Sequence, residues 1–137
     1  VLECSRRLKV ARATIQGRLD RLHREGVISG IVTRISPAAL GYPVITFCSI
    51  EITQGMGLQR FIESIQSVPE ILEMHTVSGN SDILVKIVAK STADLQRVLD
   101  ELSQAPGVAR TSSVIALSSP IENRLLPLVR AAANDSP

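Results

Sequence analysis

The chain has 137 residues and a formal net charge of +2, a size that fits one ordinary domain or a small module joined to a medium one. Its aromatic residues are Tyr42, Phe47 and Phe61, which argues against a protein that stacks single-stranded bases on exposed rings. It carries neither an apolar run of membrane-spanning length nor a signal peptide, so the sequence predicts a cytoplasmic protein without membrane partners.

The cysteines and histidines are scattered along the chain. Cys4 and Cys48 lie far apart and lack CxxC or Cys/His spacing, so both are predicted to be free thiols. His23 and His75 are equally isolated, and a metal site needs a cluster of such ligands. We therefore expect neither a metal nor a cofactor.

Charge is divided unevenly along the chain. Residues 1–34 hold eight Lys and Arg against three Asp and Glu, a net +5, and the remainder holds seven against ten, a net −3. A basic module therefore precedes an acidic one. This division favours a polyanion such as nucleic acid as the partner of the first module.

Residues 1–30 have the pattern of a helix-turn-helix. The first eight are predicted to be the last turns of a helix, and residues 11–26 form a second one with Ile15, Leu19 and Leu22 on one face. In a helix-turn-helix the second helix enters the major groove of DNA. We interpret this stretch as a partial DNA-binding module whose first helix is absent, so the truncated chain is expected to oligomerise yet bind DNA poorly.

The polar face of the second helix predicts contacts with double-stranded DNA. Side chains near its start would reach base edges, and arginines further along would reach phosphates. An ordinary solvated basic face explains the same pattern, and the helix alone does not separate the two. The predicted DNA-binding residues are Arg12, Ala13, Thr14, Gln16, Gly17, Arg18, Arg21 and Arg24.

Residues 31–41 are predicted to be a linker strand and turn. Ile31–Ile35 is rich in β-branched residues and favours a short strand. Ser36 as a cap, Pro37 at the first helical position and Gly41 at the end favour a single helical turn. The boundary between the modules lies here.

From residue 42 the elements alternate as β-α-β-β-α-β. The predicted strands are 42–52, 71–78, 83–89 and 108–117, and the predicted helices are 58–68 and 91–105. This is the order of a ferredoxin-like fold, so the sequence predicts an α+β protein in which the partial helix-turn-helix precedes a ferredoxin-like βαββαβ domain over residues 42–120. A short helix and a polar tail are predicted over residues 121–137.

Two features of this second module bear on function. Aliphatic residues occupy both alternating sets of the first and third strands, so both sheet faces should be buried and a dimer or larger assembly is expected. The turn Ser78–Asp82 is built of small polar residues, which leaves backbone N–H groups open to a small polar ligand. Any hairpin needs such a turn, however, and both explanations remain open at this point.

Taken in order, these features resemble the Lrp/AsnC family of bacterial and archaeal transcriptional regulators. Their order and spacing carry the likeness over nearly the whole chain. The residues concerned are Ile15–Leu22 with Arg18, Glu25–Ile28, Ser36–Pro37 with Leu40–Gly41, Val77–Gly79 with Asp82, and Pro106–Val108 with Arg110–Thr111. The resemblance implies a nucleoid-associated regulator that binds double-stranded DNA and is not an enzyme.

The resemblance also implies a small effector. Family members dimerise through the ferredoxin-like domain, commonly assemble further into tetramers or octamers, and bind amino acids in clefts between dimers, which modulates DNA affinity or assembly. Backbone amides of the turn suit the effector carboxylate, and an acidic side chain suits its ammonium group. The effector-binding residues implied here are Gly79, Asn80, Asp82, Arg97, Glu101, Thr111 and Ser113.

The chain departs from the family pattern at three places. Lys9 stands at a turn position that is usually Gly, which puts a left-handed turn in doubt. Ala11 replaces the usual N-capping Ser, which removes a cap worth about 1 kcal/mol. Ile83 follows the turn where an aromatic residue is commoner.

Two other functions remain open. Dimeric ferredoxin-like barrels also host small oxygenases and isomerases, although no convergent set of His, Cys and carboxylate residues is visible here. An enzyme would also leave the basic first module unexplained. The other possibility is a ligand-sensing or interaction module that does not bind DNA.

Overall fold

The computed structural model of the protein describes residues 1–53 and 58–134. The chain divides into two compact units, and the boundary along the sequence lies between Ile35 and Ser36. The first unit holds α1 (Leu2–Leu8) and α2 (Arg12–Arg24). The second holds β1 (Val44–Ile52), α3 (Leu58–Ile65), β2 (Ile71–Thr76), β3 (Ile83–Ala89), α4 (Thr92–Ser103), β4 (Val108–Ala116) and α5 (Leu126–Asn134).

A tight turn joins α1 to α2. Lys9 ends α1 with φ 52° and ψ 41°, so the left-handed turn forms even though a lysine occupies it. The side chain costs about 1 kcal/mol in this conformation, because its Cβ crowds the following carbonyl. The Ser5 hydroxyl donates to the Val10 carbonyl oxygen at 2.7 Å and closes the turn. At the start of α2, Ala11 makes no side-chain cap, as predicted.

Helix α2 is amphipathic, as its spacing predicts. Ile15 is 5% exposed and lies on the inward face, with Leu19 and Leu22 half-buried beside it. Gly26 follows the helix with φ 73°, a left-handed conformation that glycine adopts without strain. Helix α2 therefore ends just before this glycine.

The single chain does not form the predicted linker strand Ile31–Ile35. Residues 31–36 have no regular secondary structure, and the side chains of Ile31 and Val32 are 91% and 89% exposed. A strand needs a neighbouring strand for its backbone hydrogen bonds, and the four-stranded sheet is built from β1 to β4. β propensity alone was therefore insufficient here.

The helical turn of the linker is confirmed. The Ala39 backbone N–H donates to the Ser36 hydroxyl at 3.3 Å, and Ala38–Leu40 form one turn of 3₁₀ helix. Gly41 closes it with φ 89°. The turn leads directly into β1.

The sheet of the second unit is antiparallel, with strand order β2-β3-β1-β4. Cys48 on β1 lies opposite Val85 on β3 and Ser113 on β4. Helices α3 and α4 cover one face, and the core between them and the sheet includes Cys48, Ile50, Phe61, Ile65, Ile83, Val85, Val98 and Leu102. The predicted α+β architecture with a ferredoxin-like domain is confirmed.

The other sheet face stays partly open in the single chain. Phe47 on β1 lies opposite Lys86 on β3 and Val114 on β4. Phe47 and Leu84 are half-buried, while Val114 is 65% exposed. Both faces of the sheet were expected to be buried. Within a single chain only the face covered by the helices is buried, because the second face keeps apolar side chains in solvent. We call it the open face.

Helix α4 begins with a modified capping box. The Asp94 backbone N–H donates to the Ser91 hydroxyl at 3.1 Å. The Asp94 carboxylate accepts from the Lys90 backbone N–H at 2.9 Å. This hydrogen bond is the largest cause of a pKa of Asp94 that lies below its usual range, and the hydrogen bond from the Arg97 side chain is the second cause. The start of the helix is thus fixed from both sides.

The last helix is shorter than predicted at its start. It begins at Leu126 instead of Ile121, because residues 117–125 form bends and extended chain. Its apolar residues Leu126, Leu128 and Val129 are 57–65% exposed. No side chain of this helix is buried within the described part of the chain.

Candidate functional site

The outward face of α2 carries all the residues predicted to contact DNA, and each of them is exposed. Ala13, Gly17 and Arg21 follow one another at intervals of four, so they share one side of the helix. This side faces away from the buried Ile15. A Cβ added at Gly17 would meet nothing within 4 Å, so the two small residues leave the backbone open to a large partner.

The arginines of α2 differ in how free they are. Arg21 donates through Nε to the Glu25 carboxylate at 2.7 Å, which raises the pKa of the arginine and keeps it cationic. Across the described residues, Arg12, Arg18 and Arg24 make no hydrogen bond or ion pair. Three positive charges on this helix are therefore available to an anion, whereas an anion that binds Arg21 must compete with Glu25.

The turn Ser78–Asp82 is anchored to its own hairpin and to β1. Within the hairpin, the Val77 backbone N–H donates to the Asp82 carbonyl oxygen at 3.0 Å. The Asp82 N–H reaches the Ile50 carbonyl oxygen on β1 at 3.0 Å. Gly79 at the tip has φ 122°, a conformation that residues with a side chain rarely adopt.

The Asp82 side chain serves the backbone. Its Oδ2 accepts a hydrogen bond from the Ile52 backbone N–H at 2.7 Å. This carboxylate is the one that the family resemblance assigns to the effector ammonium group. In the single chain this bond positions the turn against the end of β1 and occupies one of the two carboxylate oxygens.

A polar cavity of about 320 Å³ lies beside this turn, where β1 and β4 meet. It is lined by Ser49, Glu51, Asn80, Ser81, Arg110, Thr111 and Ser112. Two residues implied by the resemblance, Asn80 and Thr111, are therefore brought together. The size and polarity suit one small polar molecule.

The four lining residues that lie on β1 and β4 beside Thr111 were not predicted from the sequence, although the sequence contains a pattern that indicates them. Ser49 and Glu51 alternate on β1, and Arg110 and Ser112 alternate on β4. The register pairs Ser49 with Ser112 and Glu51 with Arg110, so all four share the open face. Polar residues at every second position near the end of two neighbouring strands indicate a polar site on one face.

Arg97 and Glu101 do not line this cavity. Arg97 pairs with Asp94 at 2.9 Å and with Glu101 at 3.5 Å, and it also pairs with the buried Glu70. Glu70 directly precedes β2, whereas the turn follows β2, so this pair holds Arg97 towards the opposite end of the strand. The implied role of both residues in effector binding is not supported by the single chain.

Ser113 is also separated from the cavity. It pairs with Cys48, whose side chain is buried on the helix side of the sheet. Neighbouring residues of a strand point to opposite faces, and Ser112 is the one that lines the cavity. Gly79 likewise does not line it, although its neighbour Asn80 does.

Residues 1–53 and 58–134 lack two further features. No three His, Cys, Asp or Glu side chains among them are grouped so as to hold a metal ion. None of the helices found there combines the length and the apolar character needed to cross a membrane.

Comparison with known proteins identifies the family. A family model described as the Lrp/AsnC ligand binding domain matches residues 45–126. The HTH-type transcriptional regulator FL11 of Pyrococcus horikoshii is 32% identical over 126 residues, covering 92% of this chain and 83% of the relative. The chain belongs to the Lrp/AsnC family. The regulatory protein AsnC of Escherichia coli is 26% identical over 126 residues, covering 91% and 83% of the two chains.

Solved structures of Lrp/AsnC regulators share the fold. The structure of Escherichia coli AsnC is 26% identical, with a TM-score of 0.77, and the match covers 88% of this chain and 81% of that one. A transcriptional regulator of Neisseria meningitidis, solved as a complex with L-methionine, is 22% identical with a TM-score of 0.82 and coverage of 93% and 84%. The predicted family resemblance is confirmed.

Proposed function

We propose that this Lrp/AsnC regulator binds double-stranded DNA through α2 and that an amino acid bound in the ferredoxin-like domain modulates its DNA affinity or its assembly. The observation that carries the proposal is the outward face of α2, where unpaired arginines flank the small residues Ala13 and Gly17. Positive charge supplies affinity for phosphates, and small residues allow a helix to approach base edges. The protein would act in the cytoplasm, at the nucleoid.

Contacts on α2 divide by position in this proposal. Arg12, Thr14 and Gln16 lie in the first turns, nearest the base edges. Gln16 must then release its bond to Asp20, which spans 2.9 Å. Arg18 and Arg24 are free to neutralise phosphates, and Arg21 does so while it keeps or exchanges Glu25.

An amino acid is the effector that best fits the cavity beside the turn. The cavity presents an acidic side chain, a basic side chain, hydroxyls and the amide of Asn80. A zwitterion carries complementary charges and hydrogen-bonding groups. The Neisseria meningitidis regulator of similar fold was solved with L-methionine bound, which supports this class of effector for the present chain.

A homodimer would cover the open face. Phe47, Leu84 and Val114 lie there with apolar surface in solvent, and a second copy of the sheet is a self-complementary partner for it. β4 lies at the edge of the sheet, so the cavity beside it comes close to any subunit that packs on this face. Tetramers or octamers would form through further surfaces of the dimer.

DNA binding is tested by fluorescence anisotropy of the protein with duplex DNA selected from a random-sequence pool. Affinity should fall steeply between about 50 and 200 mM salt, because bound phosphates release counterions. Arg18→Ala should weaken binding and reduce the slope of the salt dependence by about one. Arg60→Ala, an exposed arginine of α3, is the matched control. Salt-independent binding, or equal effects of both variants, would contradict the proposal.

Effector binding is tested by calorimetric titration with the twenty standard L-amino acids, with particle mass measured in parallel. At least one amino acid should bind, and a dimer or multiple of a dimer should be present. Absence of binding by all twenty would remove the effector from the proposed function while leaving DNA binding intact.

A further inference from the structure

From the cavity beside the turn we infer the orientation in which an amino acid binds: Glu51 holds its ammonium group and Arg110 holds its carboxylate. This inference rests on the proposed effector function and assigns roles to two side chains of β1 and β4.

Glu51 and Arg110 are opposite in charge and directly opposite in register. Residues facing each other on an antiparallel pair lie about 5 Å apart at Cβ, and a glutamate and an arginine so placed normally form an ion pair. Within residues 1–53 and 58–134, neither side chain makes an ion pair or hydrogen bond. Both line the same cavity, so two unneutralised charges of opposite sign face one space.

A β-bulge lies next to the two side chains. Arg110 pairs with Glu51, and Val108 pairs with the next residue, Ile52, so Ala109 is left without a partner in the register. An extra residue on one strand locally increases the twist, and such bulges are common next to binding sites. Arg110 therefore lies directly beside a break in the regular pairing of β1 with β4.

The remaining lining groups suit the same orientation. The hydroxyls of Ser49 and Ser112 lie across from each other between the strands, and each can donate to a carboxylate or accept from an ammonium group. Asn80 and Ser81 enter from the turn. A cavity of about 320 Å³ accommodates the zwitterionic head of an amino acid together with a small side chain.

Blocked analogues test each contact separately. The tightest binder among the twenty L-amino acids is titrated into the wild-type protein together with its N-acetyl derivative, which lacks the ammonium group, and its amide, which lacks the carboxylate. In Glu51→Gln the preference for the free amino acid over its N-acetyl derivative should fall about tenfold or more, because a charged hydrogen bond is lost. The preference over the amide should remain.

Arg110→Gln should give the mirror-image result. The preference for the free amino acid over its amide should fall by a similar factor, whereas the preference over the N-acetyl derivative should remain. Arg60→Gln and Glu63→Gln, two exposed residues of α3, are the matched controls, since neither residue lines the cavity. Glu101→Gln tests the acidic residue that the family resemblance implies. Thermal melting of each variant confirms that it is folded.

The possible results distinguish an incorrect orientation of the amino acid from the absence of amino-acid binding. If the wild-type protein binds an amino acid and both variants keep both preferences, the orientation is wrong while the effector function stands. Loss of the ammonium preference in Glu101→Gln instead of Glu51→Gln would also overturn it. If the wild-type protein binds none of the twenty amino acids, the effector function itself fails and this inference falls with it.

Discussion

The Asp82 carboxylate accepts a hydrogen bond from the Ile52 backbone N–H at 2.7 Å and ties the β2–β3 turn to the end of β1. The turn that brings Asn80 to the polar cavity is therefore held by a side chain that does not line the cavity. We therefore propose that Asp82 positions the turn instead of contacting the effector.

Two substitutions separate the positioning role of Asp82 from direct binding of an ammonium group. Asp82→Ala should lower the free energy of unfolding by about 1 to 2 kcal/mol, because the Ile52 N–H loses a charged acceptor. Asp82→Asn should retain most of the stability and the amino-acid affinity, since its amide oxygen can still accept. Denaturant unfolding and calorimetry provide the two readouts. An Asn variant that is stable but no longer binds would show that the negative charge contacts the effector.

Gly79 is required for its backbone conformation. Its φ of 122° disfavours any side chain, although a Cβ would meet nothing within 4 Å. Gly79→Ala should therefore lower the free energy of unfolding by about 1 to 3 kcal/mol through backbone strain. Gly30→Ala is the control, because that glycine is equally open and has no left-handed φ. Equal effects of the two substitutions in chemical denaturation would contradict this account.

Gly17 should respond in opposite directions in two measurements. Gly17→Ala places a better helix former in α2 and should raise stability by about 1 kcal/mol. The added methyl on the outward face should weaken DNA binding, because it keeps the backbone from approaching the bases.

Lys9→Gly is the matched control for Gly17. It should also raise stability by about 1 kcal/mol, by relieving the left-handed lysine. Its effect on DNA affinity should be limited to the loss of one exposed charge and should therefore shrink at high salt, unlike the steric effect of Gly17→Ala. Melting curves and anisotropy titrations of both variants test the pair. Retained DNA affinity in Gly17→Ala would exclude close backbone approach at this position.

Acid should destabilise the start of α4 through Asp94. Its pKa is lowered in the folded protein by the Lys90 backbone N–H and by Arg97. The stabilisation is therefore complete above the unfolded pKa of about 3.9 and is lost as pH falls through the lower folded value. The melting temperature of Asp94→Asn should depend less on pH in this acid range. Asp100→Asn, on the exposed side of the same helix, should retain the wild-type profile.

The order of elements could be predicted from the sequence because local signals agreed with the fold. Gly26, the Ser36–Gly41 turn and Ser91 mark element ends by backbone chemistry that depends on few neighbours. The alternation of Val44–Ile52 revealed two apolar faces of the sheet. The predicted strand Ile31–Ile35 is absent from the single chain, because a strand requires a pairing partner and β propensity does not supply one.

The candidate site was harder to predict because it depends on register. Asn80 and Thr111 were found through the family resemblance, whereas Glu51 and Arg110 come together only through the pairing of β1 with β4. The bulge at Ala109, beside this pair, could not be predicted from the composition. The contacts of Arg97 could not be predicted for the same reason, since its pairing with Glu70 depends on the tertiary contact between α4 and the start of β2.

The proposed coupling between DNA binding and amino-acid binding can be measured directly. DNA affinity of the wild-type protein is determined at fixed salt with and without a saturating concentration of the amino acid that binds most tightly. The affinity should change about fivefold or more, and DNA should change the amino-acid affinity by the same factor, because linkage is reciprocal. Identical DNA affinities and an identical assembly state with and without the amino acid would contradict the account.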